Sequence, residues 1–160
     1  SRTGHKMPSG SVELRYLWLE VFAEIDGRQI QLSAAPHPEG DGYAVTGAHA
    51  DVDAAILAGA VPSGHRIYRT LLADHRGRPT LAVYQARSVI FDNRLAASEV
   101  RPETYRLTLP DLPGSTMVLS ARLFYVAYPD GFAQRYGLPK ASPVEIASTR
   151  AQLQLEPAPQ

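Results

Sequence analysis

The sequence predicts an all-β domain, an antiparallel β-sandwich of the immunoglobulin/fibronectin type with one short helix. Three observations carry this expectation. A run rich in aromatic and β-branched residues is followed at once by Asp26-Gly27 and a second run, the pattern of a tight hairpin. A long stretch from Thr116 to Tyr128 alternates, with Met117, Leu119, Ala121, Leu123 and Tyr125 on one face. Almost none of the roughly six or seven strands so recognised is separated from the next by a helix long enough for a parallel crossover.

Taken in order, Leu14 to Ile25 reads as a long first strand with Leu17, Leu19, Val21, Ala23 and Ile25 on one side. Asp26-Gly27 supplies the positive φ of a tight turn, and Arg28 to Ser33 returns with Ile30 and Leu32 inward. From Ala34 to Ser63 the pattern dissolves into Pro, Gly, His and Ala, with a short helix expected across Asp51 to Leu57. Alternation resumes from Arg66 to Ala73, Asp74 to Pro79 carries the residues of a second hairpin turn, and Thr80 to Phe91 is expected to run as one long strand. Glu103 to Leu109 is expected as a half-buried strand. Asp130 to Gly137 predicts the short helix, with Phe132 and Tyr136 four apart and Gly137-Leu138-Pro139 as its stop. Thr149 to Leu155 closes the chain as a last strand. The organisation expected is an N-terminal segment over residues 1–12, one sandwich domain over 13–156 and a tail over 157–160.

Composition bounds the function. The chain has 160 residues, enough for one domain with a real core, and 44% of them are hydrophobic. Sixteen Lys and Arg balance sixteen Asp and Glu, so no broad electrostatic argument favours nucleic acid or an anionic membrane as partner. No apolar stretch has the length of a membrane span. There is no cysteine, which excludes disulfides, thiolate metal sites, a nucleophilic thiol and covalent haem attachment within this chain.

Motifs for hydrolases, nucleotide binding and zinc are missing: no G-x-S-x-G, no P-loop, no G-x-G-x-x-G, no H-E-x-x-H. Among the five histidines, His37, His49, His65 and His75 lie beside Gly, Pro or Asp and read as solvated loop residues; no pair has zinc-site spacing. Asp51 and Asp53 read as an exposed acidic loop. Tyr16, Trp18, Phe22, Phe124, Tyr125 and Tyr128 fit core and cross-strand packing better than a ligand platform. His5 is different, because Gly4 beside it has no side chain to obstruct a flat group and Pro8 with Gly10 stiffens and turns the segment before the first strand.

The string Gly4-His5-Lys6-Met7-Pro8-Ser9-Gly10, followed by Leu14 to Val21, resembles a G-H-[KN]-[FM]-P-[ST]-G segment and strand near the C-terminal end of certain bacterial multihaem c-type cytochromes. Val89 to Leu95, Tyr105 to Pro110, Ala121 to Tyr125 with Pro129 to Pro139, and Pro143 to Ala147 resemble further motifs of that family in the same order. The resemblance implies a β-sandwich module appended to a haem-bearing region, in the periplasm or outside the cell. It implies that His5 is a distal axial ligand to the iron of a haem c attached elsewhere, with Gly4 allowing the backbone close to the porphyrin. Such a chain supports electron transfer rather than catalysing a reaction, its partner being the haem-bearing region or subunit. Two readings from other classes stand beside it: a cofactor-free extracellular immunoglobulin-like adhesion module, and a carbohydrate-binding sandwich using Trp18 and exposed tyrosines.

Overall fold

A computed structural model describes residues 4–35, 64–107 and 115–155. The expected helix over 51–57, His37, His49, Asp51 and Asp53 lie outside the described residues. Strand β1 (Tyr16–Ile25) is central, hydrogen-bonded to β2 (Arg28–Gln31), β4 (Arg66–Tyr68) and β9 (Thr116–Val126), with β10 (Val144–Gln154) beyond β9. Strand β5 (Thr70–Ala73) lies between β6 (Pro79–Thr80) and β7 (Ser88–Asp92) in a second sheet, and β3 (Ser33–Ala34) pairs β8 (Tyr105–Arg106). Every pairing is antiparallel. One short helix, α1 (Asp130–Tyr136), completes the described part. The all-β sandwich with a short helix is the architecture the sequence predicts.

Local chemistry explains the elements that agree. Asp26 and Gly27 both adopt positive φ, 50° and 76°, which matches the twist of the flanking strands, and Ile25 stands opposite Arg28. In the second hairpin the Asp74 carboxylate accepts the Arg76 and Arg78 backbone amides at 2.8 and 3.0 Å and the Arg78 guanidinium at 2.9 and 3.0 Å. Those bonds, the Arg78 amide foremost, hold its pKa down at about 2. In α1 the Phe132 and Tyr136 rings meet at 4.6 Å, and Gly137 closes the helix in the left-handed conformation while the Leu138 amide donates to the Ala133 carbonyl.

The period-2 pattern of β1 buries residues on both of its faces. Tyr16 and Trp18 pack with Ile67, Leu71 and Val126, against Phe91 and Ile90 of the second sheet and Phe124 of β9. On the opposite face Val21, Ala23 and Ile25 pack with Leu32 and Met117 beneath Tyr105 and Leu107. Each fully buried apolar side chain of this kind contributes roughly 1.5–3 kcal/mol.

Three expectations are corrected. The stretch from Arg66 to Ala73 is one run in sequence but serves two sheets: β4 pairs β1, β5 pairs β6 and β7, and every residue of the run is buried. The span from Thr80 to Phe91 is not one strand. After β6 the Thr80 hydroxyl accepts the Ala82 amide, a 3-10 turn forms at Val83–Gln85 with Tyr84 exposed, and β7 starts only at Ser88. Finally, His65 is fully buried rather than solvated: its ring lies 5.0 Å from that of Trp18 and its Nε2 is 3.0 Å from the Gln31 amide nitrogen. Burial pushes the His65 pKa below its ordinary value of 6.5.

Candidate functional site

Gly4, His5 and Lys6 are exposed, while Pro8 two residues beyond is buried, so the segment enters the protein between Lys6 and Pro8. The Met7 amide donates to the Leu95 carbonyl at 2.7 Å and the Leu95 amide returns to the Met7 carbonyl at 2.9 Å, an isolated antiparallel bridge. Lys6 Nζ is 3.2 Å from Asp92 Oδ2, and Arg94 grips both oxygens of Asp92 at 2.8 Å each. Arg94 also donates to the Pro8 carbonyl at 3.5 Å. On the far side Arg15 donates to the Ser9 carbonyl at 2.9 Å and lies where a Cβ on Gly10 would fall, at φ +81°.

The corner from Asp92 to Leu95 thus assigns each residue a separate task. Asp92 takes the cations, and their hydrogen bonds, Arg94 first, hold its carboxyl well below the usual carboxylate range. Asn93 is buried and turns inward, accepting the Arg69 amide at 2.9 Å and donating to the Ile67 carbonyl at 2.6 Å on either side of the point where the chain leaves one sheet for the other. Arg94 and Leu95 hold the N-terminal segment. The two stretches are more than eighty residues apart in sequence and neither announces the other; the local signal is Asp92 followed by Asn93 and Arg94.

At His5 itself, ring Nδ1 lies 3.2 Å from the Lys6 carbonyl. A carbonyl can only accept, so as a hydrogen bond this contact requires the proton on Nδ1, and in that tautomer Nε2 is the nitrogen with ligand character. A Cβ built on Gly4 meets no described residue within 4 Å. An exposed imidazole has the chemistry of an iron ligand, and without a thiol the chain cannot attach a haem covalently. Among the described residues no group of three or more His, Asp and Glu gathers as a metal site.

Elsewhere, a cavity of about 540 Å³ opens on the Val21 face of the main sheet, walled by Leu19, Leu119 and Leu123 and edged by Leu95, Arg101 and Glu103. Its polar edge is occupied by its own bonds. Arg66 pairs with Glu103 at 2.7 Å, both nearly buried, Tyr68 donates to Glu103 at 3.0 Å, and Arg101 holds Glu99 at 2.7 Å and the Asn93 carbonyl at 2.6 Å. Burial, with the Glu103 charge, drives the Tyr68 pKa upward, which keeps the phenol a donor. Trp18 is only 6% exposed and stacks on Phe124 at 4.4 Å, so it cannot serve as a sugar platform. His75 is exposed in the second hairpin turn, as expected. No helix among the described residues is long and apolar enough to cross a membrane.

Neither a family model nor a curated protein matches the chain. Its fold is similar to part of the crystal structure of a penta-heme cytochrome c552 from Thermochromatium tepidum, with a TM-score of 0.59 and 23% sequence identity over 93% of this chain. The chain spans 33% of the length of that protein.

Proposed function

We propose that this chain is a non-catalytic β-sandwich module of a multihaem c-type cytochrome, exported to the periplasm or cell exterior, and that His5 is a distal axial ligand to a haem carried by another region or chain. The observation that carries the reading is the geometry around His5: an exposed ring whose Nδ1 faces the Lys6 carbonyl, on a segment bolted to the Asp92–Leu95 corner. The likeness in fold to part of a penta-heme cytochrome supports the class of protein. A six-coordinate haem supplies one-electron transfer when bound. In this chain His5 offers Nε2, the Lys6 carbonyl fixes its tautomer, the Met7–Leu95 bridge limits its travel, and Gly4 leaves room for a flat ring.

The test is a His5→Ala variant of the intact haem-bearing assembly, read by electron paramagnetic resonance and visible spectroscopy. One haem is expected to change from low-spin to high-spin, while His75→Ala, at an exposed turn, leaves the spectrum unaltered. A low-spin spectrum unchanged by His5→Ala overturns the assignment and leaves the cofactor-free adhesion module as the better reading.

A further inference from the structure

Strand β10 is the longest exposed edge of the described fold. It runs for 11 residues, pairs on one side with β9, and every residue along it is exposed. Exposed edges of this length are ordinarily blunted by lysines, prolines or shortness. Between Val144 and Gln154 there is no Lys and no Pro, and the only charges are Glu145 and Arg150.

Five residues apart on a regular strand, those two side chains would point to opposite faces. Here they do not, because the register shifts between Glu145 and Ala147 and Ile146 is bulged out: Glu145 stands opposite Phe124 and Arg150 opposite Ser120, on the same face of the sheet. Neither forms an ion pair with a described residue.

We infer that β10 is a self-association edge, through which two copies of this chain pair antiparallel about a two-fold axis at Ser148. In that register Glu145 lies opposite the partner's Arg150 and Arg150 opposite the partner's Glu145, while Val144 meets the partner's Ala151 and Ala147 the partner's Thr149. A two-fold axis normal to the sheet keeps each residue on its own face, so both charge pairs form together. Centring the axis on Glu145 or on Arg150 instead brings like charges together, so charge selects the register. The product is a continuous sheet in which β10 becomes an interior strand. Strand pairing alone covers less than the roughly 1,000 Å² of a stable interface, so association is weak and rises with concentration.

Sedimentation equilibrium of the full 160-residue chain over a concentration series at low salt tests this. A reversible monomer–dimer equilibrium that weakens with added salt is expected, and Glu145→Arg or Arg150→Glu alone is expected to weaken it about tenfold or more. An equimolar mixture of the two variants is expected to restore dimers, because each then meets its opposite charge. Circular dichroism confirms that the variants fold, both positions being exposed. A chain that stays monomeric throughout, a dimer indifferent to the charge reversals, or a mixture that fails to recover overturns the inference.

Discussion

The backbones of Met7 and Leu95 exchange hydrogen bonds in both directions, closing a loop of nearly ninety residues with one bridge. Beside it Asp92 holds Lys6 and Arg94. Asp92→Ala is therefore expected to loosen the N-terminal segment without unfolding the sandwich. Its side chain is 23% exposed, so the ion pairs contribute only about 1 kcal/mol. Hydrogen exchange is the measurement: the Met7 and Leu95 amides are expected to exchange roughly tenfold faster, with Trp18 and Ile67 unchanged. Equal acceleration at all four sites would show that the corner supports the whole fold and not the segment.

The Arg66–Glu103 pair is buried on both sides, with 3% and 8% of the side chains exposed. Glu103→Ala takes a buried carboxylate away from the Arg66 guanidinium and leaves the Tyr68 hydroxyl without that acceptor, at an expected cost of about 3–5 kcal/mol in urea unfolding. Replacing Arg66 and Glu103 together by Met and Leu removes both charges and is expected to cost far less. Similar losses in the single and double variants would refute the electrostatic account.

His65 gives the fold an acid limit well above the carboxylate range. Burial lowers its pKa in the folded state relative to 6.5, so the unfolded chain binds the proton more tightly. Stability is then complete above pH 6.5 and declines as pH falls below it. The melting temperature is expected to drop between pH 7 and pH 5, and His65→Gln, which can keep a polar contact with Gln31, is expected to flatten that slope. A slope that survives the substitution assigns the acid sensitivity elsewhere.

Gly10 occupies a left-handed position that a side chain resists, and a Cβ there would displace the guanidinium that Arg15 lends to the Ser9 carbonyl. Gly10→Ala is expected to destabilise the protein by about 1–2 kcal/mol. Arg15→Ala should reduce that penalty, because the obstructing group is gone. Thermal unfolding of the two single variants and the double variant separates the conformational part from the steric one.

Much of the fold was legible because its signals are local. The Asp26-Gly27 turn, the two-faced alternation of β9 and the Phe132–Tyr136 spacing each depend on neighbours in sequence, and each is found where it was expected. What was hidden depends on partners far away. Nothing near Arg69 signals that the chain changes sheets there, since the bracket that fixes the switch is Asn93. His65 sits beside Gly64 like a loop residue, yet Trp18 and Gln31 enclose it. Thr80 to Phe91 has strand-forming residues, but Thr80 captures the Ala82 amide and breaks the ladder. Of the candidate site, the sequence singles out His5 through Gly4 and Pro8, while the Asp92 clamp that holds its segment depends on contacts made only in the fold.

The passage of residues 66–73 from one sheet to the other has a mechanical meaning. Sheets joined only by surface loops can shear past one another, whereas here a single buried run is a member of both, pinned at its midpoint by Asn93. Displacement of the second sheet must break the buried hydrogen bonds that Asn93 makes to that run. The Asp92–Leu95 corner, and the histidine tethered to it, therefore keep a set distance from β1, as points on a ruler do.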